Sequence, residues 1–424
     1  MHLFFYNIFL LVFKAGIRVA ALWNGKARLW LSGRKATVSG FGFGVSGSLN
    51  PTHETRNTKL VWMHCASLGE FEQGRPLLEL LRAQYPEARL LLTFFSPSGY
   101  EVRKDYKGVD QVAYLPMDSK KAARDFIDAI QPSLVLWVKY EYWYYFLVEL
   151  KKRNIPVLLV SGIFRKDQPF FKWYGRLHRY MLDCFSHLFI QTEESKSLLT
   201  QIGFGKNVSV SGDTRFDRVI TIAEQFTSIN LVENFCGAHP VIVAGSTWTE
   251  DEEELDHYAN THPEIKFIIA PHEVHEEHIK QIEKLFKSTV RFSVLQNGNA
   301  EANVLIIDNV GMLSRLYKYA TITYVGGGFG EDGVHNVLEA AVYGKPVVFG
   351  PEYDKYIEAI ELVEWGGAFS IENALELEKQ FDVLLQDDAQ YQSACSAARD
   401  YVYAKKGATD AILRYIQEKR LLTS

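Results

Sequence analysis

Short apolar runs alternate with amphipathic stretches along most of the chain from about residue 58 onward. The runs have the length of strands, and the stretches between them have the 3.6-residue period of helices. Because parallel strands need helical crossovers and are buried on both faces, this alternation predicts parallel sheets covered by helices. The predicted strands are KLVWMHC, ARLLLTFF, SLVLWV, IPVLLVSG and HLFIQT in the first half, and HPVIVAGS, EIKFIIAPH, NVLIID, TITYVGG and KPVVFG in the second.

The alternation restarts after a polar, weakly patterned stretch at 218–234. A chain of 424 residues is also too long for one ordinary core. We therefore predict two doubly wound, Rossmann-like α/β domains that face a cleft, with ligands at the carboxyl ends of the strands. The predicted divisions are an N-terminal helix at 1–30, a first domain at 31–220, a second domain at 235–400, and a C-terminal helix at 401–424 that is a candidate to cross back to the first domain.

The chain begins with a strongly apolar and aromatic segment, Leu3 to Phe13. This run is shorter than the roughly 20 apolar residues of a membrane-spanning helix. Basic residues follow it rather than precede it, unlike in a secretory signal. They are Lys14, Arg18, Lys26, Arg28, Arg34 and Lys35. This order favours a helix that lies in or dips into a bilayer, with its basic side chains on the anionic cytoplasmic leaflet. A buried first helix is the alternative.

Composition narrows the classes of function only slightly. The net charge of −5 gives no indication of nucleic-acid binding. The four cysteines are far apart and form no CxxC pair, which indicates a reducing compartment and no disulfide framework. His272, His275 and His278 lie close together, but they lack the HExxH spacing that places two imidazoles on one helical face, so we expect no metal site.

The clearest functional signal is the glycine-rich segment YVGGGFGEDGVHNVLEAAVYGKPVVFG, at 324–350. Its glycines, including Gly327 and Gly328, would let backbone amides come close to a ligand. A helix predicted to begin near His335 would offer its N-terminus to a phosphate. Glu339 on its first turns could accept hydrogen bonds from ribose hydroxyls. The pattern favours nucleotide binding over a purely structural turn.

A second loop, VAGSTWTEDEEEL, follows another predicted strand. Ser246 and Thr247 could donate hydrogen bonds to a phosphate or a sugar. A capping box, in which Thr249 and Glu252 start an acidic helix, explains the same residues equally well. The sequence leaves both interpretations open.

In the first half, charged residues follow predicted strand ends. Glu70, in HCASLGEFEQGRP, has the spacing from Ser67 of a capping box, but at a cleft it could also accept a proton. Glu141, in VKYEYWYYFL, could stabilise positive charge on a sugar ring or simply start a helix. Arg215, in SGDTRFD, could neutralise a leaving phosphate. The residues alone do not choose between these roles.

Taken together, these motifs resemble those of the 3-deoxy-D-manno-octulosonic acid (Kdo) transferases. The shared segments, in the family's order, are HCASLGE, KYEYW, SGDTRFD, AGSTW, APH and GGGFGEDGVHNVLE. The resemblance covers residues from about 30 to 415 and implies a GT-B fold. It also implies an inverting transfer of Kdo from CMP-Kdo to a lipid A precursor of the lipid IVA type, in lipopolysaccharide core biosynthesis at the cytoplasmic face of the inner membrane. No metal or other cofactor is implied, and the chain has no DxD motif.

The resemblance also implies residue roles. Glu70 matches the general base that deprotonates the acceptor hydroxyl, and Glu141 matches a residue that stabilises the transition state. Arg215 stands where the family often has a lysine. The positions that match CMP-binding residues are Pro271, His272, Val310, Gly311, Met312, Asn336, Val337, Leu338 and Glu339, and Ser246, Thr247, Gly327 and Gly328 join them on the arguments above. Two of these segments depart from the family: Met312 replaces a glutamate, and Val334 interrupts the pattern GGHN.

Two other classes of function fit the same residues. One is a different GT-B enzyme that uses a UDP-sugar, since the glycine loop and Glu339 would serve either nucleotide. The other is a membrane-attached protein that binds a lipid or nucleotide without turnover.

Overall fold

The computed structural model describes residues 2–42, 58–295 and 301–423. The chain divides into two compact units. The first consists of Met1–Arg218 together with Gly407–Ser424, and the second of Val219–Lys406.

The first unit contains β1 (Leu60–Cys65), β2 (Arg89–Phe94), β3 (Gln111–Tyr114), β4 (Leu134–Val138), β5 (Val157–Gly162), β6 (His187–Ile190) and β7 (Val208–Val210). Its helices are α1 (His2–Ala20), α2 (Gly25–Gly42), α3 (Leu68–Gln84), α4 (Pro97–Arg103), α5 (Lys120–Ile130), α6 (Tyr144–Lys152), α7 (Arg176–Leu182), α8 (Glu193–Gln201) and α18 (Ala408–Glu418), and α9 (Thr214–Glu224) contains the boundary.

The second unit contains β8 (Val241–Thr247), β9 (Lys266–Pro271), β10 (Thr289–Arg291), β11 (Val304–Ile306), β12 (Ile322–Val325), β13 (Val347–Phe349) and β14 (Ala368–Ser370). Its helices are α10 (Asn230–Cys236), α11 (Thr249–Thr261), α12 (Glu276–Leu285), α13 (Leu313–Leu316), α14 (Leu338–Ala341), α15 (Ile357–Glu364), α16 (Ala374–Gln386) and α17 (Asp388–Ala404).

Each unit is built on a seven-stranded parallel sheet. The first sheet has the order β3-β2-β1-β4-β5-β6-β7, and the second has the order β10-β11-β9-β8-β12-β13-β14. The strand order therefore reverses between β1 and β4 in the first sheet and between β8 and β12 in the second. At such a reversal the connecting helices go to opposite faces, which opens a crevice at the carboxyl ends of the two strands. The predicted pair of doubly wound α/β domains is confirmed.

All the predicted strands are present, and four short ones were not predicted. These are β3, β7, β10 and β14, which lie at or near the edges of the two sheets. The stretch at 218–234 has a weak sequence pattern, yet it is largely helical, because α9 and α10 occupy most of it.

Helix α1 is apolar around most of its circumference, and its two sides have different surroundings. Tyr6, Leu10, Phe13 and Ile17 recur at helical spacing and pack against the first unit's core. Tyr6 also donates a hydrogen bond to Asp118 Oδ2 at 2.6 Å. The opposite side exposes large apolar side chains, namely Phe4, Phe5, Ile8, Phe9, Leu11, Val12 and Val19. By length and composition, α1 could cross a membrane. One face of the helix is thus buried against the first unit, and the opposite apolar face is exposed.

The basic cluster predicted to face a leaflet needs one correction. Arg34 is buried, and its guanidinium donates to the carbonyl oxygens of Leu115 (3.0 Å) and Phe95 (2.6 Å). It also lies over the ring of Trp30, 3.6 Å from the centroid. Arg34 therefore joins α2 to the domain rather than serving a membrane surface. The side chain of Lys35 lies outside the described residues.

Helix α18 packs in the first unit. Its apolar side chains, including Ile412 and Ile416, join the core cluster that contains the buried faces of β1 and α3. Asp217 fixes the start of this helix by accepting the amides of Gly407 at 2.6 Å and Thr409 at 2.7 Å.

Candidate active site

Glu70 lies at the point where the strand order of the first sheet reverses. It is in the first turn of α3, directly after β1, and Ser67 caps that helix by accepting the Glu70 amide at 3.5 Å. The Glu70 carboxylate does not return to the capping residue. It accepts the amide of Ala66 and, at 3.5 Å, that of Tyr140, which follows β4. The carboxylate thus joins the carboxyl ends of the two central strands.

Burial makes Glu70 a carboxylate that titrates near neutrality. Loss of solvation raises its pKa to about 7, and the negative charge of Glu141 adds to this effect, while the Ala66 amide opposes it. A group with this pKa is ionised often enough to accept a proton at pH 7, and basic enough to keep it. This is the behaviour expected of a general base.

Glu141 is held in place by two aromatic nitrogen donors, one in β1 and one two residues further along the chain. Its Oε2 lies 3.2 Å from His64 Nε2 and 2.8 Å from Trp143 Nε1. His64 is fully buried in β1, and its other ring nitrogen lies 3.0 Å from Thr93 Oγ1. We assign the tautomer with Nε2–H toward Glu141, because the carboxylate can only accept when ionised. His64 therefore fixes the orientation of the carboxylate.

The alternative in which Glu141 merely starts a helix is wrong. Helix α6 begins at Tyr144, and the acid that accepts its first amides is Asp118. Asp118 accepts from Tyr145 at 3.0 Å and from Phe146 at 3.2 Å. Burial raises the Asp118 pKa to about 6. The sequence did not identify Asp118 or His64, although His64 is the first residue of the HCASLGE segment.

Arg215 lies near the start of α9 and is paired with an acid two residues before it. Its Nε and its second guanidinium nitrogen Nη2 lie 3.0 and 2.8 Å from Asp213 Oδ2. Burial alone would raise the Asp213 pKa, but the charges of Arg215 and Lys139 outweigh burial and lower it. Asp213 also accepts from Gln73 of α3 at 2.9 Å. The guanidinium is thereby oriented by a buried carboxylate.

The second sheet brings most of the predicted nucleotide-binding segments together at the carboxyl ends of its strands. They follow the carboxyl ends of β11, β9, β8 and β12, which are adjacent in that order. The residues placed there are Val310, Gly311, Met312, Pro271, His272, Ser246, Thr247, Gly327 and Gly328. Val310 is 81% exposed, whereas Pro271 and both glycines are buried. Ser246 adopts the left-handed conformation (φ +56°) at an irregularity between β8 and β9.

The glycine loop is folded against the rest of the second unit. Gly327 has φ +91°, and a Cβ there would lie 2.6 Å from the carbonyl oxygen of Gly333. At Gly328 a Cβ would lie 2.6 Å from the Gly350 amide nitrogen. The Gly327 amide is already bonded, because it donates to Asp251 Oδ2 at 2.9 Å. In this structure the glycines therefore serve close packing, and the Gly327 amide is not directed at a ligand.

The helix predicted to begin near His335 is shorter than expected. Helix α14 spans only Leu338–Ala341, since the preceding amides have distant partners: Val334 donates to Glu352 and His335 donates to Gly326. A helix this short gives little support to the helix-terminus argument for phosphate binding. Asn336 donates to Glu339 Oε1 at 3.1 Å. Val337 and Leu338 are buried.

The structure excludes the capping box of Thr249 and Glu252, which the sequence left open as one of two interpretations. Helix α11 is capped one residue earlier, and Asp251 accepts the Trp248 amide at 2.9 Å. Glu252 is instead buried, where it accepts from the Thr247 hydroxyl at 2.8 Å and lies 3.0 Å from His278 Nε2. Burial raises the Glu252 pKa. The Thr247 hydroxyl is thus engaged inside the protein, and a role for its side chain toward phosphate remains a prediction.

The three clustered histidines have separate environments. His272 is exposed and stacks on both Trp248 and His335, with ring centroids 4.6 and 4.5 Å away, while Trp248 Nε1 donates to His335 Nε2 at 3.0 Å. Burial, together with His272, lowers the His335 pKa to about 4, so this imidazole is neutral at pH 7. His275 caps α12, and His278 contacts Glu252. These stacked rings form a flat aromatic surface beside the glycine loop, at the carboxyl ends of the strands of the second sheet.

Comparison with known proteins found similar sequences over most of the chain. A family model described as 3-deoxy-D-manno-octulosonic-acid transferase (kdotransferase) matches residues 41–218. A protein of Aquifex aeolicus named 3-deoxy-D-manno-octulosonic acid transferase is 29% identical over 342 residues, which cover 79% of this chain and 89% of the relative. Residues 41–218 thus match a Kdo transferase domain, and the chain is similar to Kdo transferases over most of its length.

Another similar protein is longer than this chain. A bifunctional glycosyltransferase/methyltransferase of Fusobacterium nucleatum is 29% identical over 351 residues, covering 78% of this chain. The match covers 53% of that protein, so the chain spans about half the length of this relative.

Solved structures support the fold. The UDP-GlcNAc 2-epimerase from Neisseria meningitidis, bound to UDP-GlcNAc, superposes with a TM-score of 0.60 at 17% identity. The superposition covers 85% of this chain and 100% of the epimerase. At this identity the likeness shows the fold alone, and it confirms the GT-B architecture of two Rossmann-like domains.

Proposed function

We propose that this protein is a Kdo transferase, which moves Kdo from CMP-Kdo to a hydroxyl of a lipid A precursor of the lipid IVA type, with inversion at the anomeric carbon. Glu70 carries the proposal: it is a buried carboxylate with a pKa of about 7, at the reversal point of the first sheet. In this assignment the first unit activates the acceptor and the second unit binds the donor nucleotide.

The proposed step is a single displacement. Ionised Glu70 takes the proton of the acceptor hydroxyl, and the hydroxyl oxygen forms a bond to the anomeric carbon of Kdo. The bond from that carbon to the phosphate oxygen breaks, and its electron pair leaves with CMP. Glu141, fixed by His64 and Trp143, would stabilise the positive charge that develops on the sugar ring.

We assign the remaining roles, binding of the phosphate and of the nucleoside, to Arg215 and to residues at the carboxyl ends of the second sheet's strands. Asp213 orients the Arg215 guanidinium, which can donate two parallel hydrogen bonds to a phosphate where a lysine would offer a point charge. His272 stacked on Trp248, and Asn336 with Glu339, offer a flat face and polar groups to a nucleoside. Because CMP leaves as a stabilised phosphate, we propose that no metal is required. The location at the cytoplasmic face of the inner membrane is part of the same proposal.

The identity of the donor can be tested by protection against unfolding. CMP-Kdo and CMP should each raise the melting temperature of the full-length protein, because a ligand that binds only the folded state stabilises it. UDP-GlcNAc at the same concentration should have a much smaller effect. Incubation of CMP-Kdo with a tetra-acylated acceptor should give a Kdo-bearing product by mass spectrometry. Equal protection by UDP-GlcNAc, or protection without product, would contradict the proposal.

The rate should depend on pH through Glu70. Only the ionised carboxylate can accept a proton, so kcat/KM should fall as the pH drops below about 7, by about tenfold per pH unit. The sign for stability is opposite: since burial raises the folded-state pKa from 4.5 to about 7, the fold loses stability as pH rises across that range. Steady-state rates measured between about pH 5 and pH 8 check this expectation. A flat profile over that interval would mean that Glu70 does not act as the base.

A further inference from the structure

A large apolar cavity lies within the first unit, beside Glu141. Its volume is about 800 Å³, within the roughly 300–1,000 Å³ typical of small-molecule sites. Its walls come from α1, from the segment after β4, and from the stretch that leads into α7. Most of the lining is aromatic or aliphatic, and it includes Phe5, Phe9, Phe170, Trp173 and Leu177. Such a lining suits an apolar ligand rather than a sugar or a nucleotide.

Tyr140, Glu141 and Trp143 are the part of this lining that belongs to the candidate active site. Glu141 therefore connects the apolar cavity to the site where we place the acceptor hydroxyl. A molecule that used both regions would need a polar, hydroxyl-bearing group at Glu70 and a long apolar group that extends past Glu141 into the cavity. A glycolipid has this construction.

The other side of the cavity borders the exposed apolar face of α1. Phe5 and Phe9 line the cavity, yet they are 59% and 53% exposed. Trp173, which also lines it, is 90% exposed. Large exposed aromatic side chains of this kind are typical of protein surfaces at the membrane–water interface. The cavity is thus continuous with the surface that α1 would present to lipid.

The docking of α1 determines how that surface can meet a bilayer. Tyr6, Leu10, Phe13 and Ile17 hold the helix along the first unit over more than three turns. A helix docked in this way cannot also cross the bilayer, so its exposed side would lie along the membrane surface. Lys14 and Arg18, both exposed, would then face anionic headgroups.

We propose that the cavity binds an acyl chain of the lipid acceptor, which enters sideways from the bilayer past Phe5, Phe9 and Trp173. Helix α1 is then a wall of the acceptor site as well as a membrane contact. This inference rests on the proposed function, because the acceptor is identified by the hydroxyl that Glu70 would deprotonate.

Photolabelling tests occupancy of the cavity without requiring turnover. The probe is a tetra-acylated lipid A precursor with a diazirine on one acyl chain, in vesicles of phosphatidylethanolamine and phosphatidylglycerol. After irradiation, mass spectrometry should find label in the stretch 168–181, which lines the cavity. Leu177→Trp fills the cavity and should reduce that label about tenfold. A phospholipid carrying the same diazirine should label only the exposed face of α1. Label confined to that face with both probes, or equal cavity labelling by the phospholipid, would overturn the proposal.

Two double variants distinguish the role of α1 as a wall of the cavity from its role as a membrane contact. Phe5→Ala/Phe9→Ala and Phe4→Ala/Leu11→Ala each remove two large exposed apolar side chains of α1, but only the first pair lines the cavity. Both should weaken vesicle binding to a similar extent. Only the first should raise KM for the tetra-acylated acceptor, by about tenfold, with little change in kcat. Equal KM values for the two pairs would mean that α1 is a membrane contact but not a wall of the acceptor site.

Two outcomes distinguish failure of the proposed function from failure of the acyl-chain site. If CMP-Kdo gives no protection and no product, the proposed function fails. Normal turnover without label in the cavity refutes only the acyl-chain site.

Discussion

Replacement of Glu70 by glutamine is expected to reduce turnover by about 10²–10⁴-fold, the range typical of losing a general base. Glutamine has nearly the same shape, and its side-chain oxygen can still accept the Ala66 amide that Glu70 accepts now. It cannot accept a proton at neutral pH. The variant should therefore keep its fold and its protection by CMP-Kdo, and lose only the chemical step.

Glu72→Gln is the matched control for this substitution. Glu72 lies two residues further along α3, where its carboxylate is 2.9 Å from Arg103 and 3.7 Å from Arg75 on a partly exposed surface. Loss of such a surface ion pair costs little, about 0–1 kcal/mol, and should leave the rate unchanged. Single-turnover kinetics with CMP-Kdo would measure both variants. If Glu70→Gln turned over like Glu72→Gln, Glu70 would be only a structural ligand of the strand ends.

The sequence was sufficient to predict the architecture and to place candidate residues at strand ends. Buried parallel strands appear as apolar runs, so β1, β4, β8 and β12 could be recognised directly. The sequence could not show that β1 pairs with β4, since the two are far apart in the chain. That pairing is what brings Glu70 close to Glu141. The edge strands were missed because three or four residues are too few to show a period.

The sequence also could not show which face of α1 is buried. Its apolar run is compatible with membrane contact or with burial, and the composition of the run is the same in both cases. The buried face includes Tyr6, whose hydroxyl bonds to Asp118, 112 positions further along the chain. Only the folded arrangement of α5 and α6 places that carboxylate under α1.

At the start of α11 the sequence pattern suggested the wrong acid. Thr249 and Glu252 have the spacing of a capping box. Trp248 and Asp251 have the same spacing, and in the structure it is Asp251 that accepts the backbone amide of the capping residue. Tertiary contacts choose between them. Glu252 is drawn into the interior by Thr247 and His278, which leaves Asp251 to bond the loop that follows β12.

Replacement of Asp251 by alanine should therefore destabilise the second unit and loosen the glycine loop. The buried carboxylate accepts the Tyr324 hydroxyl at 2.8 Å and the amides of Trp248 and Gly327 at 2.9 Å each. Removing it leaves three donors unsatisfied in or near the core, for a loss of about 3–5 kcal/mol in the free energy of unfolding. Hydrogen exchange at 326–337 should become faster, and protection by CMP should weaken.

The exposed residue Glu253, on the same helix, provides the comparison for Asp251. Glu253→Ala removes a carboxylate from α11 without touching the loop, so the free energy of unfolding should change by less than about 0.5 kcal/mol. Hydrogen exchange followed by mass spectrometry reports the two effects separately, because it resolves the loop from the rest of the unit. If the loop exchanged at the same rate in Asp251→Ala and Glu253→Ala, packing of the glycines alone would hold the loop. Asp251 would then have no part in shaping the proposed nucleotide site.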